Sequence, residues 1–316
     1  MFKKSRVLVF EQDRVLLCRS NGSVLFTYRL EAFYDNCKRL NVKTDYYTSY
    51  TVHINAPLAV YGWSGCKLYA NVPGAKAYAE GEGTEAYAQA EGTEAHARGS
   101  YSSAYAMGRN SKAYAEEYQS KAYAEGEGTK AYAMGRYSSA YARGWNSKAY
   151  ADGYHSRAYA KGEGTEAYAR GTCLIAYAQA EGAKAFAVGL YTRAYAKKRN
   201  SKAYAQAEGA KAYADADESE AYAEAEGAKA FAMGRNSKAY AKGKGTEAYA
   251  EGEGTQAYAM ASNSKAYAHY SRPRFQKAYA IAEVPESESY AIAIAVVPDA
   301  ESYASGSMAK GFIYKG

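Results

Sequence analysis

An aromatic or imidazole ring returns every nine residues from Tyr69 to Tyr267, with no insertion or deletion between them. Twenty-two steps of nine make 23 consecutive units, and the ring is Tyr except at His96, Phe186 and Phe231. A fixed period held over such a length marks a stacked repeat architecture, in which each unit is one structural step that cannot bury its own apolar face. A low-complexity tract has no reason to keep phase.

The unit Ala77-Tyr78-Ala79-Glu80-Gly81-Glu82-Gly83-Thr84-Glu85 shows the grammar, with its residues taken as positions 1 to 9. Positions 1 and 3 are Ala, position 5 is mostly Gly or Ala, and position 8 is nearly always Thr, Ser or Ala. Small residues therefore alternate with larger ones, which predicts a β-strand with one small-residue face. The other face carries the ring, a Lys or Glu at position 9, and a variable position 4. Charge decides which face is inside. Burying the ring face would also bury Lys76 and Glu80 beside Tyr78, at several kilocalories each. The small face goes in, the tyrosines stand outside in rows, and buried Ser and Thr hydroxyls need nearby turn groups as partners.

Position 7 is Gly at 83, 92, 128, 164, 182, 209, 227, 245 and 254, and Asn at 110, 146, 200, 236 and 263. These residues tolerate left-handed backbone angles and mark the corner. A seven-residue strand and a two-residue corner make half of a flattened 18-residue coil. The expected fold class is all-β: a parallel β-solenoid or β-roll, a rod with sheets on opposite faces. Helix is disfavoured by the nine-residue phase and the recurrent Gly.

Composition agrees with a thin interior. The chain has 36 Tyr and 29 Gly but ten Phe and Trp together, and beyond residue 60 the usual core formers are almost absent. Net charge is +7. Residues 1–50 hold nine Lys or Arg and five Asp or Glu, and beyond them both signs mix within each unit. That is a solvated surface without the single-sign stripe that nucleic acid requires, so nucleic acid is disfavoured as a partner. Cys18, Cys37, Cys66 and Cys173 lack metal-ligand spacing and read as reduced thiols. No stretch has the length of a membrane span, and the apolar run ending at Glu11 is too short for a signal-peptide core. Where the protein resides is open between the cytoplasm and a virion.

Three divisions follow. Residues 1–60 are an N-terminal cap or small mixed domain, with strands at Val7–Phe10, Val15–Cys18 and Val24–Tyr28 and a helix around Leu30–Leu40. Residues 61–270 are the solenoid. Residues 271–316 are irregular coils and a C-terminal cap: ring positions shift to Tyr279, Tyr290 and Tyr303, and loops fall at Pro285 and Pro298. There the outer face becomes apolar, and Ile281, Ile292, Ile294 and Val296 form a candidate interface or cap face. Either the tail Phe312-Ile313-Tyr314 folds over it, which is the favoured arrangement, or another subunit covers it.

No catalytic constellation, metal site or cofactor motif appears. His96 fills a ring slot and His155 a corner slot. Units such as Glu125-Gly126-Glu127-Gly128-Thr129 lack the Gly-Lys-Ser/Thr of a phosphate loop and the aspartates of a calcium repeat. The tyrosine rows are the one unusual surface, and Tyr78, Tyr114, Tyr132, Tyr150, Tyr168, Tyr204, Tyr222 and Tyr240 are the candidate partner-binding residues.

Stretches such as Ser111-Lys112-Ala113-Tyr114-Ala115 and Thr84-Glu85-Ala86-Tyr87-Ala88 resemble the β-roll head repeats of trimeric autotransporter adhesins of the YadA type, over residues 69–267. Alanine-rich repeat proteins of bacteriophages are similar in style. The first resemblance implies a parallel β-roll and adhesion. The expected function is a non-enzymatic structural or adhesive rod whose outer Tyr, Lys and Glu ladders meet a partner, either another copy of the chain or a surface protein or glycan. The alternative is a module that stacks a surface glycan or another ligand on its tyrosines. An ice-binding face is a distant third, because the threonines point inward and charges flank every ring.

Overall fold

A computed structural model of the chain describes residues 4–34, 39–42, 48–63, 66–252, 254–259, 265–269, 279–283, 292–296, 301–305 and 310–314. The chain is a parallel β-solenoid, and it divides into two compact units, Met1–Ser156 and Arg157–Gly316.

The first unit opens with an antiparallel meander: β1 (Lys4–Phe10) pairs with β2 (Arg14–Cys18), and β2 with β3 (Val24–Arg29). These are the three strands expected from the apolar runs. Among the described residues of the span Leu30–Leu40 the expected helix is not present. A single 3-10 turn at Leu30–Phe33 takes its place, with Tyr34 bridging to Leu40. Leu30 is the only residue of that turn that is buried, too little apolar surface to sustain a longer helix. The chain then enters β4 (Leu40–Val42), β5 (Thr48–Ile54), β6 (Ala59–Gly62) and β7 (Cys66–Ala70). Parallel pairing is already present here, β1 with β5, β5 with β7 and β4 with β6.

From residue 76 to the end of this unit, each nine-residue step adds a strand to alternate faces. One face stacks Glu85–Ala88, Ser103–Ala106, Lys121–Ala124 and Ser139–Ala142 beyond β7. The opposite face stacks Lys76–Ala79, Glu94–Ala97, Lys112–Ala115, Lys130–Ala133 and Lys148–Asp152 beyond β6. Partners are always 18 residues apart in these repeats, so like positions stand above like. The second unit repeats the pattern, from Arg157–Ala160 on one face and Glu166–Arg170 on the other.

The strands are shorter than expected. They cover four residues, positions 9 to 3, sometimes five, and not seven. Positions 5 to 8 close a turn in which the position 8 amide donates to the position 5 carbonyl, as in Ser111 to Gly108 at 3.2 Å. Its third residue, position 7, has positive φ throughout: Gly83 at +67° and Asn110 at +55° are typical. Asn263 lies outside the described residues. Turns also stack on one another, because the position 7 amide reaches a carbonyl of the next coil, as in Gly92 to Arg109 at 2.9 Å. Backbone groups are thereby paired around the coil and not only along the flat faces.

The interior changes character along the first unit. Phe10, Val15, Val52, Ile54, Val60 and Leu68 are fully buried in the cap region, and from residue 75 to 156 the buried side chains are Ala, Ser and Thr. Gly62 serves the change of scale: it sits in register with Ala79, and a methyl there would come within 2.6 Å of the Leu68 side chain. In the second unit Leu174, in the position 8 slot, is the one buried residue larger than Thr among those described.

The C-terminal strands continue both faces. Tyr279–Glu283 pairs with Gln256–Ala259, and Ile292–Val296 with Lys265–His269. Register moves the expected ring slot: Tyr279 stands opposite Gln256, at position 9, while Ile281 stands opposite Tyr258 and Tyr303. Ile292, Ile294 and Val296 align with Lys265, Tyr267 and His269, and the tail strand Lys310–Tyr314 joins the sheet edge-on with Phe312 opposite Ile294. Tyr290, Pro285 and Pro298 lie outside the described residues.

Candidate functional site: two ring ladders and an aromatic edge

Because strands repeat at the hydrogen-bonding distance of a sheet, identical side chains are forced into columns about 4.8 Å apart. On one face of the first unit His53, Tyr69, Tyr87, Tyr105, Tyr123 and Tyr141 form such a column, with ring centroids 4.5 to 5.1 Å apart. On the other face Tyr61, Tyr78, His96, Tyr114, Tyr132 and Tyr150 stack at 4.5 to 4.8 Å, with planes within 16° of parallel. The second unit has Tyr159 to Tyr267 on one face, and Tyr168, Phe186, Tyr204, Tyr222, Tyr240 and Tyr258 on the other. All eight candidate tyrosines thus occupy one class of face, four in each unit. Rings inside a column have a neighbour against both sides, so they are half-buried and show solvent their edges and hydroxyls.

Charge columns flank the rings. Lys76 and Lys112 both reach Glu94, at 2.9 and 3.3 Å, and Arg98 bridges Glu80 and Glu116. Lys67–Glu85, Lys202–Glu220 and Lys229–Glu247 pair in the same way at 2.6 to 2.8 Å. Where position 9 is Glu, the following tyrosine donates to it: Tyr87 to Glu85 at 2.7 Å, Tyr222 to Glu220 at 2.5 Å, Tyr249 to Glu247 at 2.7 Å.

Burial lifts the phenols of Tyr78, Tyr105, Tyr114, Tyr204 and Tyr240 above their ordinary range, and Tyr132 up to about 12. Tyr87 and Tyr222 are raised by burial and then by the bond to their Glu. Burial works against ionisation of Glu85 and Glu220, yet the lysine and tyrosine bonds hold both below the usual carboxylate range. His96 lies between Tyr78 and Tyr114, 4.5 Å from each, with both ring nitrogens buried and without a hydrogen bond. Burial pulls it down to about 4, although Glu94 stands 3.6 Å away.

The inward hydroxyls find the turn groups expected of them. Thr84 donates to Gly81, Ser111 to Gly108 and Ser147 to Gly144, all position 8 to position 5 carbonyl. The hydroxyls of Ser102 and Thr246 have no such partner.

A second aromatic feature lies on one edge of the first unit, at the turns that lead from the Tyr78 face to the Tyr87 face. Tyr101, Tyr118, Tyr137, Tyr154 and His155 occupy positions 6 and 7 of successive coils. The 18-residue recurrence of Tyr at 100–101, 118–119, 136–137 and 154–155 is the sequence signal for it, and it is lost when units are aligned by nines.

Cys18, Cys66 and Cys173 are free, and burial pushes the Cys66 thiol up to about 12. Cys37 lies outside the described residues. Among the described residues no helix is long and apolar enough to cross a membrane, and no group of three His, Cys, Asp or Glu is placed to hold a metal ion. The side chains of Ile281, Ile292, Ile294 and Val296 lie outside those described. No family model, no curated protein and no solved structure matches this chain.

Proposed function

We propose that the protein is a non-enzymatic structural or adhesive repeat protein whose flat faces pack against a second copy of the chain. The observation that carries this reading is the uninterrupted ring column on each face. Rings at every step pack coil on coil within the chain, and their half-exposed edges and hydroxyls also stand at one height along each face, a regular amphipathic ridge that a like ridge can meet. Two like ridges are self-complementary, as an isologous interface requires. Several flanking charges are paired within their own face, Lys76 and Lys112 with Glu94 and Lys202 with Glu220 among them, which lowers the charge that two faces would bring together. An adhesive role also accords with the resemblance to autotransporter head repeats. Stacking a ligand ring on the columns is less well supported, because a ring with neighbours on both sides has no free face to offer.

Size-exclusion chromatography with light scattering tests the proposal. The native chain is expected to show a mass that rises with concentration. Ser103 and Ser139 flank Lys121 in the position 9 column of one face. Changing both serines to Lys adds like charge to that face while leaving every ring of the column in place, and is expected to shift assembly toward the monomer. A native chain that stays monomeric at every concentration overturns the reading.

A further inference from the structure

The edge turns of the first unit carry a different aromatic array from the faces. Tyr101, Tyr118, Tyr137 and Tyr154 are 54%, 39%, 48% and 42% exposed, and each stands one coil beyond the last. Successive rings meet edge to face, with centroids 5.8, 5.7 and 6.2 Å apart and planes at 82°, 71° and 90°. Edge-to-face packing covers these rings less completely than parallel stacking covers the columns on the flat faces, so more of their surface reaches solvent. His155 lies flat on Tyr137 at 5.3 Å, and the Arg136 guanidinium sits 5.9 Å over Tyr154.

Backbone conformation gives an independent reason to single out this edge. Tyr101, Tyr137 and His155 hold φ of +59°, +57° and +56° at the position where Gly83 and Gly92 stand elsewhere. A bulky side chain is disfavoured there, and strained residues of this kind gather at binding sites. The turns on the opposite edge of the same coils carry Glu91, Arg109 and Glu127 besides Trp145.

We propose that this edge binds an extended, uncharged β-1,4-linked polysaccharide. Flat sugar rings have apolar C–H faces and hydroxyl rims, matching phenol rings interleaved with Arg136 and with tyrosine hydroxyls. The array runs along the stacking direction with one ring per coil, so a straight chain follows it and a helical one departs from it. The edge carries both signs of charge: Arg98 is held between Glu80 and Glu116, and the same coils carry Glu117 and Asp152 as well as Arg136. A nucleic acid or an anionic membrane needs a one-sign stripe that this edge lacks.

Titration calorimetry of the full chain with cellohexaose and with chitohexaose tests the assignment. At least one is expected to bind, and Tyr118→Ala with Tyr154→Ala to weaken it tenfold or more while circular dichroism and melting stay native. Tyr118→Trp with Tyr154→Trp is expected to keep or tighten binding, which separates a lost ligand contact from a lost fold. Ser103→Lys with Ser139→Lys, on the flat face, should bind as the native chain does. Absence of binding to both oligosaccharides overturns the proposal, as does undiminished binding by the alanine variant. Loss of self-association in the alanine variant with no change in sugar binding also overturns it, making the edge a contact between copies. The face and edge variants differ, so failure here is distinguishable from failure of the self-association reading.

Discussion

Alanine at positions 1 and 3 is fully buried in nearly every coil, and a methyl group is all the space between the two sheets admits. Enlarging one by two carbons, as in Ala140→Val, is expected to cost about 1–3 kcal/mol by overpacking, read as a lower urea midpoint. The position 8 hydroxyls can be sorted one by one. Ser111 donates to the Gly108 carbonyl at 2.5 Å, so Ser111→Ala should lose about 1 kcal/mol. Ser102 Oγ is buried without a partner, so Ser102→Ala should be neutral or slightly stabilising. Alanine already fills this slot at 183, 210 and 228, fully buried. Equal losses from the two substitutions would contradict this sorting. His96 supplies a pH test. Its folded pKa, about 4, lies below the ordinary 6.5, so the unfolded chain takes up the proton first as pH falls. Stability is therefore lost progressively between about pH 6.5 and about 4, by an amount on the order of 3 kcal/mol. His96→Tyr, which restores the usual ring between Tyr78 and Tyr114, should abolish most of that slope in denaturation midpoints measured at pH 7 and pH 5.

At the scale of the element, each half-coil is a short strand and a turn whose third residue needs positive φ. Gln119 meets that need at +52° with a side chain that resists it, whereas Gly128 in the next turn does so freely. Gln119→Gly should raise the unfolding midpoint, by about 0.5–1 kcal/mol, less the entropy glycine adds to the unfolded chain. Gly128→Gln should lower it. The inward small residues, the outward rings, the position of the corner and the hydroxyl partners were all legible in the sequence, because each follows from a period of two meeting a charge that refuses burial. Strand length was not: position 5 is small like an inward strand residue, but it is small because neighbouring turns approach closely, and a methyl on Gly99 would lie 1.7 Å from the Gly81 carbonyl oxygen. Tyr279 misled for a similar reason. Its Tyr-Ala-Ile-Ala alternation suits either register, and only pairing with Gln256–Ala259 places Ile281 in the ring slot. The edge array of Tyr101, Tyr118, Tyr137 and Tyr154 stayed hidden because a nine-residue alignment merges two different edges, which separate only once coils of 18 are built.

At the scale of the whole molecule the ladders make the phenols a shared property, and alkaline pH should expose it. Each column ring is half-buried beside further phenols, and several of these phenols resist ionisation, Tyr132 up to about 12 against the ordinary 10. Unfolding returns every one of them to that ordinary value. Between pH 10 and 12 the unfolded chain therefore gives up protons that the folded chain retains, and it gains stability relative to the fold. Stability is expected to fall steadily as pH rises through 10, the reverse of the slope that His96 contributes below neutrality. The phenolate absorbance of the native chain should rise later and more gradually than that of the urea-unfolded chain, because each phenolate formed opposes the next one in its column. Tyr114→Phe with Tyr132→Phe keeps the stack, removes two of the retained protons, and should flatten the alkaline slope without altering stability at pH 7 by more than about 1 kcal/mol. Superimposable native and unfolded titrations would mean that water reaches the rings freely, and columns of rings packed 4.5 to 5 Å apart would then not persist in solution.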